Sequence, residues 1–251
     1  MENNTIELFK ENRNKWNELY KRSENTNRAR LEADSVPTYE DWNDSILDYD
    51  YIVDYINEKD RKVLDIGTGN GAILGLLCKK YSFLSGVGLD ISDEAISIGK
   101  QMLEKFSIKD RVEFLQNDMH DNWKIDKNEQ FDIVMANFSL QFNTYESFID
   151  IVKQVKEYLN KGGRFIFKVR SSSRSVPNNY KEFPNEKNTY ISGEEHELNM
   201  VYHHYTKEEI YIAAEILGGE IIHMKEDIRR REHDKYPIRA WWEVVIRKCD
   251  G

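Results

Sequence analysis

Residues 63–77 read VLDIGTGNGAILGLL, and this stretch decides the fold. A short apolar run stops at Asp65. Gly67, Gly69 and Gly71 follow in alternate positions, and an apolar, helix-like run resumes at Ala72. Glycine adopts positive φ at little cost and carries no Cβ to hold a ligand away from the backbone. A glycine turn between a buried strand and a helix is therefore a place of close approach. The helix N-terminus beyond it adds unpaired N–H donors.

Outward from this turn the sequence alternates. KVLDI is a buried strand and Ala72–Tyr81 a helix. Ser85–Ile91 reads as a second strand. Ser92 is a capping residue for the next helix, with Asp93 and Glu94 in a first turn where the helix dipole favours them. Ala95, Ile98, Met102 and Phe106 share one face of that helix. VEFLQ and FDIVMAN are a third and a fourth strand. Tyr145–Leu159 carries Phe148, Ile151, Val152, Val155 and Leu159 on one stripe. LNKGG is expected to end that helix, with Gly162 as a left-handed cap, before the fifth strand RFIFKV. Thr206 and Glu209 match a capping box, and their helix closes at Gly218-Gly219. EIIHMKEDI and AWWEVVIRK follow with no helix between them, which predicts an antiparallel pair. Alternating strands and helices imply a parallel sheet with right-handed crossovers. The expected architecture is Rossmann-like α/β: seven mostly parallel strands with one antiparallel strand, and helices on both faces.

In such sheets a ligand binds beyond the carboxyl ends of the strands. Asp90 ends the second strand, where a carboxylate can accept both hydroxyls of a ribose. Two ligands compete for this turn. GTGNGA satisfies the dinucleotide pattern G-x-G-x-x-A, which suits NAD. Asp65 points instead to S-adenosylmethionine, because a carboxylate repels a pyrophosphate and suits an amino-acid ammonium. The closing helix–strand–strand layout fits the same alternative.

Asp65–Gly71, Asp90, NDM at Asn117–Met119, ANFSLQF at Ala136–Phe142 and LNKGG together resemble class I S-adenosylmethionine-dependent methyltransferases over roughly Val63 to Lys168. The resemblance implies S-adenosylmethionine as cofactor, S-adenosylhomocysteine as product, and in-line methyl transfer to nitrogen or oxygen of an acceptor. It places Asp65, Gly67, Thr68, Gly69 and Gly71 in the cofactor turn, Asp90 on the ribose and Ile91 against the adenine. Asp118 would accept from the adenine amino group, with Asn117 and Met119 beside the ring. Asn137 would line the methionine part. NFSLQF looks like the small-molecule and carboxy-transfer branch; the [DN]PP[YF] signature of amino-directed nucleic-acid enzymes is absent. A small-molecule acceptor is thus expected. RNA, protein, or a non-catalytic cofactor-binding role are the alternatives.

Displacement at a sulfonium methyl releases a neutral thioether that needs no acid, so a general base is required only where the acceptor must lose a proton. The candidates are His120, after the third strand, and His203, His204 and Tyr205, with His203 or Tyr205 preferred. No metal site is expected. Residues 1–58 read as a helical cap in which Trp16 or Tyr20 could cover the cofactor, residues 59–251 as the methyltransferase domain, and 170–204 as a long, polar substrate-side lid loop. Tyr39–Tyr55 mixes rings with acids and suits a cationic amine, whereas IRRREHDKYPIR (228–239) is basic and suits a carboxylate or phosphate. The two segments point to acceptors of opposite charge.

The 251 residues carry 36 basic and 45 acidic side chains, a net charge of −9 with an isoelectric point near 5.3. This balance argues against nucleic acid as a generic partner. Cys78 and Cys249 are too few for a disulfide framework or a Cys-based metal site. The polar N-terminus shows no signal-peptide core, and no window has the length of a membrane span, so a cytoplasmic protein is expected.

Overall fold

The structure, a computed structural model, describes residues 12–21, 50–194, 199–230 and 237–249. Tyr39, Trp42 and Tyr49 of the aromatic–acidic segment, and residues 231–236 of the basic segment, lie outside these. Among the described residues no helix is long and apolar enough to cross a membrane.

Residues 12–21 are helical (α1), and Asp50–Val53 forms a single turn (α2). The alternating series follows: β1 (Lys62–Ile66), α3 (Ala72–Lys80), β2 (Ser85–Asp90), α4 (Asp93–Lys105), β3 (Val112–Gln116) and β4 (Phe131–Asn137). A 3₁₀ turn at Leu140–Phe142 leads to α5 (Tyr145–Tyr158) and β5 (Leu159–Arg170). Three short strands come next: β6 (Lys181–Glu182), β7 (Thr189–Ile191) and β8 (Val201–His203). The chain ends with α6 (Lys207–Leu217), β9 (Gly219–Arg230) and β10 (Ile238–Lys248). Seven strands form one sheet in the order β3-β2-β1-β4-β5-β10-β9. β1, β2 and β3 pair in parallel, while β10 runs antiparallel to both β5 and β9. This is the predicted Rossmann-like sheet with one reversed strand.

The chain divides into two compact units, Lys10–Ile133 and, for the described residues beyond it, Val134 onward. In the first, α4 forms as its signals require. The Ser92 hydroxyl accepts from the Ala95 N–H at 3.1 Å, and Ala95, Ile98 and Met102 are buried. In the second, Thr144 caps α5 and Thr206 caps α6 through a complete capping box with Glu209. Phe148, Ile151, Val152 and Val155 bury the stripe of α5.

Two expectations need correction. The helix before β5 ends at Tyr158, because Leu159 is already extended. Gly162 takes φ 73° within the β5 run and does not cap the helix. Residues 170–204 are not an unpatterned lid loop: β6, β7 and β8 form an antiparallel sheet of their own. Strands of two and three residues are too short to show a period of two in the sequence.

Candidate functional site

In the unit Lys10–Ile133, the glycine turn sits at the carboxyl end of β1. Gly67, Gly69 and Gly71 hold φ of 70°, 59° and 73°, all in the left-handed region. The N–H groups of Gly67 and Thr68 both donate to the Leu89 carbonyl, at 2.8 and 2.9 Å. The Gly69 N–H donates to Asp90 Oδ2 at 2.8 Å, and the Ser92 N–H to Asp90 Oδ1 at 2.9 Å. Asp90 therefore holds the turn against the end of β2. Asp65 is 4% exposed and accepts from the Thr68 hydroxyl at 2.7 Å.

Burial pushes the Asp65 carboxyl up to about 7, against the Thr68 hydroxyl that pulls it down and with the Asp90 charge adding to the rise. Burial likewise pushes Asp90 up to about 6, despite three main-chain N–H groups that favour its anion. These two acids have no basic partner among the causes of their shifts. That electrostatic setting invites a cationic ligand and repels a pyrophosphate. Gly71, which precedes α3, contributes no side-chain cap to that helix.

Tyr20 stands beside this turn. A Cβ on Gly69 would collide with the Tyr20 hydroxyl. Desolvation of that hydroxyl, with the charges of Asp90 and Asp65, raises its pKa well above the tyrosine range. Polar contacts fasten α1 in place. The Asn17 amide donates to Asp93 Oδ1 at 2.6 Å, the Ser92 hydroxyl donates to Asn17 Oδ1 at 2.6 Å, and Lys21 pairs with Glu94 at 3.2 Å. Trp16 lies 6.5 Å from the Tyr20 ring.

The remaining predicted contacts follow β2 and β3. Ile91 is half-buried, and its carbonyl accepts from Gln116 at 3.2 Å. Asn117 uses its side chain on the loop itself: its amide donates to the Asp118 carbonyl at 2.6 Å and its oxygen accepts from the Lys124 N–H at 2.7 Å. Asp118 Oδ1 takes the His120 N–H at 3.0 Å and lies 2.6 Å from His120 Nδ1. Burial raises the Asp118 carboxyl, but the bonds from His120 outweigh it and leave it lowered. Its Oδ2 makes no hydrogen bond among the described residues. Met119 is half-buried, and its carbonyl accepts from Trp123 at 3.3 Å. His120 is thus engaged with Asp118 at one ring nitrogen.

Asn137 ends β4 in the unit from Val134 onward. The preferred bases lie in the same unit, and their surroundings speak against that role. His203 has no exposed surface. Its Nδ1 lies 2.7 Å from the Thr189 hydroxyl and its Nε2 3.2 Å from the Glu209 carboxylate. Tyr205 is equally buried and donates its hydroxyl to the Leu140 carbonyl at 2.8 Å. Burial first, then nearby carboxylates, raise its pKa well above the ordinary value. Both side chains are buried and spend their polar atoms on framework hydrogen bonds.

His204, the neighbour passed over in favour of these two, behaves differently. It is 1% exposed, and neither ring nitrogen makes a hydrogen bond among the described residues. Gln141, in the 3₁₀ turn after β4, is 5% exposed with its Oε1 likewise unbonded. Sequence reading gave Gln141 no role, and its only signal was membership of the NFSLQF run.

The seven-stranded sheet with its reversed strand is a Rossmann-like methyltransferase fold. A family model described as a methyltransferase domain matches residues 57–218, and the chain belongs to that family. Its cofactor class is S-adenosylmethionine. The release factor glutamine methyltransferase of Rhodopirellula baltica is 37% identical over 75 residues, covering 30% of this chain and 25% of that protein. The rRNA N(6)-adenosine-methyltransferase metl-5 of Caenorhabditis elegans is 34% identical over 77 residues, covering 31% of this chain and 36% of that protein. The chain therefore spans well under half the length of these curated relatives. A solved S-adenosylmethionine-dependent methyltransferase of Methanosarcina mazei superposes with a TM-score of 0.62 at 21% identity, over 79% of this chain and 96% of that one, a likeness of fold.

Proposed function

We propose that the protein methylates nitrogen or oxygen of a small-molecule acceptor. The observation that carries the cofactor half of this reading is the pair of buried, uncompensated acids, Asp65 and Asp90, around a glycine turn. When bound, S-adenosylmethionine supplies a methyl group on a positively charged sulfur. Asp65 would meet its ammonium, Asp90 its ribose hydroxyls, Asp118 Oδ2 its adenine amino group, and Ile91 and Met119 the adenine faces. Tyr20, carried by α1, would cover the methionine end. On the acceptor side we assign no general base. Residues 170–204 would form the substrate-side insertion. Orientation of the two reactants alone can contribute on the order of 7–11 kcal/mol.

The acidic net charge of −9 and the run Asn137-Phe138-Ser139-Leu140 in place of [DN]PP[YF] support a small molecule over RNA. The curated relatives, named for release-factor and rRNA methylation, keep a macromolecular acceptor as the second reading. The test uses labelled S-adenosylmethionine and the full chain in a fractionated extract. Label is expected in the low-molecular-weight fraction. Label confined to RNA or protein would overturn the small-molecule assignment, and failure to bind the cofactor would overturn the whole reading.

The acids also set a pH dependence. In the cofactor-free fold, Asp65 and Asp90 hold protons up to about pH 7 and 6, whereas the unfolded chain loses them near pH 4. The native state therefore binds more protons in this window, and stability falls as pH rises from about 4 to about 7. A cationic ligand reverses the preference and releases protons. Binding of S-adenosylmethionine is expected to tighten about 20-fold from pH 5.5 to 7.5 through Asp65, read by calorimetry in buffers of different ionisation enthalpy. Asp65→Asn should bind weakly and keep only the shallower rise, about fourfold, that the ionisation of Asp90 near pH 6 leaves. A wild-type profile no steeper than that of Asp65→Asn would remove Asp65 from the cofactor.

A further inference from the structure

The unit from Val134 onward holds a cationic and aromatic cluster that the reading above leaves unexplained. Arg170 is the last residue of β5, at the strand's carboxyl end, where ligands of such sheets bind. A parallel bridge joins Ser171 to Tyr205, and the Tyr205 N–H donates to the Arg170 carbonyl at 2.8 Å. Arg170 and His204 thus occupy neighbouring positions on two adjacent segments. The Arg170 guanidinium carbon lies 3.8 Å from the centre of the Tyr202 ring. Such stacking uses the face of the guanidinium and leaves its N–H edge to donate elsewhere. That edge makes no hydrogen bond or ion pair among the described residues.

His204 adds the second observation. Its ring packs 5.1 Å from Tyr190, and Tyr190 is the register partner of Tyr202 across β7 and β8. Its two ring nitrogens are buried and unbonded. Burying such groups costs free energy unless a partner arrives. Burial holds the imidazole neutral, pushing its pKa down to about 2, and the charges of Arg170, Arg174 and His203 act in the same direction. No carboxylate is among the causes that act on it. Phe142, 4.9 Å from Tyr202, and Tyr180, stacked on the same ring at 5.9 Å, make the surroundings flat and aromatic.

We propose that Arg170 and His204, on the ring of Tyr202, form a subsite for the carboxylate of a planar methyl acceptor, an inference that rests on the methyltransferase reading above. The guanidinium edge donates to both carboxylate oxygens, a geometry that the planar fork matches and an ammonium does not. The neutral imidazole donates one further N–H. The half-buried rings of Phe142 and Tyr180, beside the fully covered Tyr202, meet the flat body of the ligand.

The test titrates the full chain with benzoate, 4-hydroxybenzoate and indole-3-carboxylate and with their three neutral amides, by ligand-observed NMR, with and without S-adenosylhomocysteine. At least one carboxylate is expected to bind tenfold or more tightly than its amide. Arg170→Gln should abolish that preference while changing amide binding less than twofold. Arg170→Lys, which keeps the charge and the fold, should restore only part of it. Equal binding of acids and amides, equal weakening of both in Arg170→Gln, or no binding by any carboxylate overturns the subsite. The nucleotide arm separates the two claims. Bound S-adenosylhomocysteine without carboxylate preference refutes the subsite alone. Carboxylate preference in a protein that binds neither sulfur nucleotide supports the subsite and refutes the methyltransferase reading.

Discussion

Glu243→Ala is expected to destabilise the protein by about 3–5 kcal/mol, the range for removing one partner of a buried ion pair. Lys168 on β5 and Glu243 on β10 face each other in register, with Nζ and Oε1 2.7 Å apart. Their side chains are 2% and 7% exposed. The ammonium also lies 5.4 Å from the centre of the Phe138 ring. Lys225 stands 4.0 Å from the other Glu243 oxygen but is itself mostly in water. Truncating Glu243 removes the carboxylate that stands 2.7 Å from the buried Lys168 ammonium. Urea unfolding followed by tryptophan fluorescence measures the loss. The double variant Lys168→Met/Glu243→Leu should recover most of it, because replacing both charges by apolar groups removes the desolvation cost as well. A single-variant loss below about 1 kcal/mol would mean that the lysine reaches water, and the burial argument would fail.

Asp90→Ala is expected to weaken S-adenosylmethionine binding about 100-fold. On the proposed role, the carboxylate accepts two ribose hydroxyls. Two hydrogen bonds to a charged group contribute about 1.5 kcal/mol each, and about 3 kcal/mol corresponds to a little over two decades in affinity. The substitution also orphans the Gly69 and Ser92 N–H groups, which now donate to Asp90 at 2.8 and 2.9 Å, and so loosens the turn. Asp90→Asn keeps one acceptor oxygen and should fall between, at about tenfold. Calorimetry on the three proteins reads the series. Unchanged affinity in Asp90→Ala would take the ribose away from this residue.

Much of the fold is legible in local signals. Ser92 and the Thr206–Glu209 box announce two helix starts, and each hydrogen bond they imply is present. β1 and β4 read as largely apolar runs because they are buried on both faces. The small sheet of residues 181–203 escapes such reading. Its strands hold two or three residues, and their pairing is set by contacts between segments.

The site divides along the same line. The glycine turn and the acids at the ends of β1 and β2 are local features of the chain, so the sequence by itself determined the sheet, the cofactor class and the residues around the turn. Whether a polar side chain is spent on the framework or left to meet a ligand depends on partners distant in the chain. His203, His204 and Tyr205 are consecutive and equally plausible as a string of letters. Thr189, Glu209 and Leu140 engage the first and the third, while the ring nitrogens of the second meet no hydrogen-bond partner among the described residues. Only the tertiary structure decided that, because hydrogen-bond capacity is consumed by neighbours in space.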